Sequence, residues 1–137
     1  MQITKQADYA LRAVIFLARL DFGEKASTRD IAEKQGIPPS FLAKIVSQLS
    51  IAGLITTARG ARGGVSLARP SEEISILDVV EAIDGPMLLN ECTSNPDNCP
   101  FSTDCPLHHI FCEAKHDLHE KLSAATFAKE NMTPVNI

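Results

Sequence analysis

The sequence predicts a mainly α protein, a winged helix-turn-helix followed by a long C-terminal helix. Three features predict it. Two short helical patterns are joined by the Gly- and Pro-rich turn "QGIPPS". A Gly- and Arg-rich hairpin pattern, "ARGARGG", comes directly after them, and an apolar repeat close to a heptad runs from about residue 106 to 129. With 137 residues, 45% of them apolar, the chain can bury a core without staples; lacking Trp, it must build that core mainly from Ile, Leu, Val and Ala.

Each element has its own local cause. Residues 4–20 place Ala7, Ala10, Leu11, Val14, Leu17 and Ala18 at helical spacing, ending near Asp21-Phe22-Gly23. "STRDIAEKQG" predicts a short second helix, with Ser27 or Thr28 as N-cap and Gly36 as its stop. "IPPSFLAKIVSQLSIAG" restarts a helix, with Pro38 or Pro39 in the first turn and Gly53 at the end. Its buried face is expected to be Phe41, Leu42, Ile45, Val46 and Leu49, which turns Ser40, Lys44, Ser47 and Gln48 outward. Leu54–Thr57 and Val65–Leu67 read as short strands around a mobile glycine-rich tip carrying Arg59 and Arg62. Pro70 starts a connector. "ISILDVVEAIDG" is a fourth helix, with Ile76, Val79, Val80 and Ile83 inward and Gly85-Pro86 ending it. The long helix, from about Pro106 to Lys129, carries Leu107, Phe111, Ala114, Leu118, Leu122 and Ala125 as a seam that suits a partner helix, so a homodimer is expected. His109, His116 and His119 read as surface residues of that helix, and 131–137 as a flexible tail.

The net charge of −4 conceals a division. Through Arg69 there are ten Lys/Arg against five Asp/Glu, a balance of +5; from Pro70 onward there are three against twelve, a balance of −9. One end of the molecule therefore suits an anionic partner. Two guanidiniums on a glycine-rich tip can enter a narrow minor groove, where the negative potential is strongest. Double-stranded DNA is the expected partner, contacted by Thr28, Arg29, Ser40, Phe41, Lys44, Gln48, Arg59, Arg62 and Gly63. The apolar stretch "ALRAVIFLARL" is too short and too charged to span a membrane, so a cytoplasmic protein is expected. No nucleophile–base pair or phosphate-binding loop stands out, so no catalytic residue is assigned and an enzyme is not expected.

All four cysteines fall within "CTSNPDNCPFSTDCPLHHIFC", at Cys92, Cys99, Cys105 and Cys112. Gaps of six, five and six residues contain no C-x-x-C pair, so the zinc-ribbon knuckle is absent. In a reducing cytosol, clustered cysteines point to metal or redox chemistry ahead of a disulfide. Wide gaps in a Pro-, Asn- and Asp-rich loop suit a larger object such as an iron–sulfur cluster, with zinc and a thiol switch as the other readings. His108 lies one helical turn after Cys105 and Cys112 one turn after His108, so these side chains can share a face.

The opening "ITKQADYALRAVIFLA", the stretch "IAEKQGIPPSFLAKIVSQLSIAGLI", the wing "ARGARGGVSLARP", "ISILDVVEAIDG" and the late three-cysteine loop together resemble one family. It is the bacterial winged-helix family that includes the iron–sulfur regulator IscR and the nitric-oxide-sensitive repressor NsrR, and the resemblance covers roughly residues 1–129. It implies a homodimeric transcription factor that binds partly palindromic operators, with the third helix in the major groove and the wing in the minor groove. It further implies an iron–sulfur cluster ligated by Cys92, Cys99 and Cys105. His108 matches the fourth ligand of a 2Fe–2S site in the IscR-like branch. Asp8 matches an acidic residue that the NsrR-like branch offers from the partner's first helix, and a 4Fe–4S cluster is the other nuclearity. His108 is preferred because its spacing from Cys105 is local and needs no partner; Cys112 has no counterpart in the pattern and is the least favoured ligand. Arg59 matches the family's minor-groove arginine. The expected organisation is a DNA-binding unit at 1–85, a cluster loop at 86–105, a dimerisation helix at 106–130 and the tail. The alternatives are a cluster-free regulator of the same fold, acting through thiol oxidation or protein partners, and then an iron–sulfur electron-transfer protein, which leaves the basic wing unexplained.

Overall fold

The structure, a computed structural model, describes residues 2–89 and 104–132. Its first helix, α1 (Lys5–Ala18), starts at the N-cap Thr4, whose hydroxyl accepts from the Ala7 N–H at 3.1 Å. It buries Ala7, Ala10, Ala13, Val14, Leu17 and Ala18, a face of small residues that lets other helices approach closely. The second helix, α2 (Thr28–Gln35), is capped by Ser27, whose side chain accepts from the Asp30 N–H at 3.0 Å. It stops at Gly36, whose φ of 64° is the left-handed conformation that a residue without Cβ adopts at little cost. Next comes α3 (Pro39–Ile51), with Pro39 at its first position, where a missing N–H costs nothing.

The wing follows α3 at once. Strand β1 (Ile55–Ala58) pairs antiparallel with β2 (Gly64–Leu67), Ile55 opposite Leu67 and Ala58 opposite Gly64. The far side of β2 is also paired: Val65 exchanges both backbone hydrogen bonds with Ala26, at 2.8 and 2.9 Å. The hairpin is thereby bound to the residue just ahead of the α2 N-cap. In α4 (Ile76–Asp84), Ser75 and Asp78 form a capping box, each side chain accepting from the other's N–H at 3.0 Å. Val79 and Val80 are buried, while Ile76 and Ile83 are half-buried. This helix packs against α1, α3 and the long helix α5 (Pro106–Ala124).

α5 departs from expectation at its end. The apolar spacing extends the helix to Lys129, but it stops at Ala124, and Ala125 is extended at ψ 110°. The chain then runs back along the segment before α4. The Ala125 carbonyl accepts from the Ile76 N–H at 2.9 Å, and the Phe127 N–H donates to the Ile74 carbonyl at 3.0 Å. Phe127 is fully buried among residues of α1, α3 and α4, and outcompetes further helix because its ring fills the core. The tail is likewise tied down as far as it is described: the Arg19 guanidinium donates to the Met132 carbonyl at 3.2 Å, and Lys129 pairs with Asp21 at 3.1 Å. The remainder of the predicted flexible tail, 133–137, lies outside the described residues.

Candidate DNA interface and cysteine site

The DNA-facing residues foreseen in the sequence come from three elements that meet around one open cleft of about 280 Å³. Ser27 and Thr28 at the start of α2, Val46 of α3, Thr57 of β1 and Gly63 at the wing tip line it. Ser40, Lys44 and Ser47 are exposed on α3, as the helical spacing predicts. Two residues behave differently. Gln48 is half-buried, with its Oε1 covered and unpartnered among the described residues, because position 48 borders the buried Ile45–Leu49 stripe. Phe41, assigned by spacing to the buried face, is 43% exposed, its ring lying 6.0 Å from that of Tyr9. Leu42 takes the core position instead, and Val46 is half-buried.

The wing tip, residues 59–63, closes with the Gly63 N–H donating to the Gly60 carbonyl at 2.9 Å. A Cβ on Gly63 would overlap the Ala58 carbonyl oxygen, so only glycine lets the turn close this tightly. Arg59 and Arg62 are exposed, and neither makes an ion pair among the described residues. Arg29, by contrast, is engaged by Glu33 at 3.2 Å on the surface of α2. The two wing guanidiniums, like Lys44 on α3, have no ion pair to give up among the described residues, whereas Arg29 must leave Glu33 to meet a phosphate.

The described part of the cysteine site lies at the start of α5, the helix that packs on α4. Cys92 and Cys99 fall in 90–103, outside the described residues. Cys105 is the N-cap residue of α5, half-buried and free, and its carbonyl accepts from the His108 N–H at 3.2 Å. The His108 ring stands against the Cys112 sulfur, Nε2 to Sγ 3.6 Å, and meets the His109 ring edge-on at 5.7 Å. The structure thus brings His108 together with Cys112, the cysteine the family pattern leaves over. Asp8 is engaged by Arg12, one turn on in the same helix, at 3.1 Å. Among the described residues no three His, Cys, Asp or Glu side chains gather as a metal site. The donor chemistry nonetheless fits a soft iron–sulfur group: a free thiol at the start of a 19-residue helix with an imidazole one turn along.

Sequence reasoning missed one contact here. His119, read as a surface residue, is half-buried, and its Nε2 donates to the Met87 carbonyl at 2.9 Å. His109 and His116 are exposed as expected, His116 pairing with Glu120 at 3.2 Å. Helical spacing places His119 on the face of His108, eleven residues earlier, and that was the signal available. The seam foreseen on α5 is divided. Phe111, Leu118, Leu122 and Ala125 are half-buried, Ala114 is exposed and Leu107 is 57% exposed; Ile110, outside that seam, is also 57% exposed. No α5 residue is fully buried. No helix among the described residues is long and apolar enough to cross a membrane.

Comparison with known proteins gives a consistent result. Residues 3–129 match the family described as Rrf2, iron-dependent transcriptional regulator. The chain is similar to the structure of CymR (YrzC), the global cysteine regulator of B. subtilis, with 25% identity over 93% of each chain and a TM-score of 0.73. It is similar to T. potens IscR at 25% identity, over 93% of this chain and 83% of that one, with a TM-score of 0.72. The oxidized form of Staphylococcus aureus CymR aligns at 25% identity over 99% of this chain and 100% of that one, with a TM-score of 0.75.

Proposed function

Because this chain belongs to the Rrf2 family of iron-dependent transcriptional regulators, we propose that it is a homodimeric DNA-binding regulator whose operator affinity is set by an iron–sulfur cluster. The observation that carries the reading is the presence of two features in one chain. The wing offers guanidiniums without an ion pair among the described residues, and free Cys105 and His108 head a helix with no fully buried residue.

In this reading α3 enters the major groove with Ser40, Lys44, Ser47 and Gln48, and the wing carries Arg59, Arg62 and Gly63 to the minor groove. Thr28 and Arg29 meet phosphates at the positive end of α2. Cys92, Cys99, Cys105 and His108 hold a 2Fe–2S cluster, with Asp8 of the partner subunit as the alternative fourth ligand once it leaves Arg12. When bound, the cluster supplies reversible one-electron chemistry and sensitivity to oxidants. This chain's part is to link the cluster, through Cys105 and His108 at the start of α5 and the packing of α5 on α4, to the placement of α3. A coupling of about 1–3 kcal/mol changes operator affinity by about 5- to 150-fold.

A second reading, a cluster-free regulator acting through thiol oxidation, is favoured by the Cys112 sulfur beside the His108 ring. The similarity to an oxidized cysteine regulator points the same way. One experiment separates the two. The protein is purified anaerobically, absorption and Mössbauer spectra are recorded, and a duplex is selected with it from a randomised pool. Affinity for that duplex is then measured with and without iron. The cluster reading expects a chromophore, lost in Cys99→Ala and kept in Cys112→Ala, with affinity that differs between the two forms. Colourless protein whose affinity follows the oxidation of Cys112 overturns it in favour of the second reading.

A further inference from the structure

We propose that Met87 is the junction through which the state of the cysteine loop reaches the DNA-binding half, and that His119 is the residue that positions it; this deepens the regulatory reading above and rests on it. Met87 lies three residues beyond the end of α4 and three residues before the undescribed segment that begins at 90. Its peptide is held from both sides. The N–H donates to Glu81 Oε2 of α4 at 3.3 Å, and the carbonyl accepts from His119 Nε2 of α5 at 2.9 Å. A carbonyl can only accept, so the histidine must carry its hydrogen on Nε2. The Met87 side chain is itself 7% exposed. A loop residue tied by two helices and anchored by its own side chain cannot shift without moving one of them.

What those helices touch gives the junction its consequence. α4 packs on α3, the helix assigned to the major groove, and on α1. One turn of α4 makes two ties: Glu81 holds the Met87 N–H, and Asp84 accepts from the hydroxyl (2.5 Å) and N–H (3.3 Å) of Thr4, the α1 N-cap. The second tie comes from α5, whose first turns carry Cys105 and His108, on the face that His119 continues. Between Thr4, Asp84, Met87 and Leu88 lies a cleft of about 260 Å³, room into which the junction can move. Displacement of Met87 by the loop is therefore passed to α4 through Glu81 and referred to α5 through His119. Neither residue is among those assigned above to DNA or to the cluster.

Energetic coupling is reciprocal, so DNA must change the loop if the loop changes DNA binding. The test uses the full-length, cluster-free protein with the duplex it selects from a random pool. Hydrogen–deuterium exchange of peptides covering residues 86–104 is compared with and without that duplex. In wild type the duplex alters the exchange. In His119→Ala the alteration disappears, while affinity for the duplex stays within about threefold of wild type. His119→Gln, whose amide nitrogen can donate to the same carbonyl, restores it, an outcome that a merely structural role would not give. Glu81→Ala provides a second variant with the same expected loss. An alteration that persists in both alanine variants, or is absent in wild type, overturns the proposal. Equal duplex affinities of wild type with and without its cluster would end the regulatory reading separately, since the exchange experiment contains no iron.

Discussion

Arg59 and Arg62 lie within four residues of each other on a five-residue tip, yet their value depends on what does not hold them. A surface guanidinium already paired must lose that pairing on binding, as Arg29 must with Glu33. The wing arginines have no such competitor among the described residues. Arg59→Ala is therefore expected to weaken binding to the selected duplex by about 1–2 kcal/mol, roughly 5- to 30-fold. It should also lower the slope of log affinity against log salt by about one. Fluorescence anisotropy at several salt concentrations checks both, and visible absorbance should stay unchanged because Arg59 is not among the proposed cluster ligands. The exposure of Arg59 was legible from the sequence, as glycine spacing marks an exposed tip. The shielding of Gln48 Oε1 was not, since it depends on what packs beside the Ile45–Leu49 stripe.

Among the elements, several helix ends were legible to within a residue or two, and the far end of α5 was not. Ser27, Gly36, Pro39 and Gly85 mark their helix ends by conformational preferences that act within a turn. The end of α5 answers to a distant competitor. Ala125 and Phe127 bond to Ile76 and Ile74, some fifty residues away in sequence, and the Phe127 ring completes the core. Apolar spacing on a helix continues through Ala125 and contains no sign of that exchange. Phe127→Ala should cost about 3–5 kcal/mol, the usual loss for deleting a buried ring, measured by denaturant unfolding. Its effect should exceed that of Ser75→Ala, where a lost cap is worth about 1 kcal/mol. If the two proved equal, the returning segment would not be part of the core.

For the whole molecule, the decisive feature is that α5, the longest helix, buries no residue completely within its own chain. A 19-residue helix gains most of its stability from packing an apolar face, and here Leu107 and Ile110 remain 57% exposed. A second copy of α5 is the partner that the proposed homodimer would supply. Ile110→Glu, a change on that exposed face, should shift the protein towards monomer by analytical ultracentrifugation with little change in helicity. Operator affinity should then fall by about 100-fold, because two half-sites are no longer bound as a unit. A variant that stays dimeric would remove this end of α5 from the interface.

By itself the sequence determined the order of elements, their caps, the basic wing and the presence of four cysteines ahead of or within a long helix. These are local matters: periodicities, turn residues and charges act over a few positions, and their consequences can be read in place. Only the tertiary structure decided that Phe127 ends α5 by entering the core, that Arg29 is engaged while Arg59 is not, that His108 faces Cys112, and that His119 reaches the Met87 carbonyl. Most of these pairings join groups on different elements, or choose among several local rotamers, and the choice follows from which side of each helix the packed core leaves open. A one-dimensional pattern shows which residues are able to meet; packing fixes which of them do.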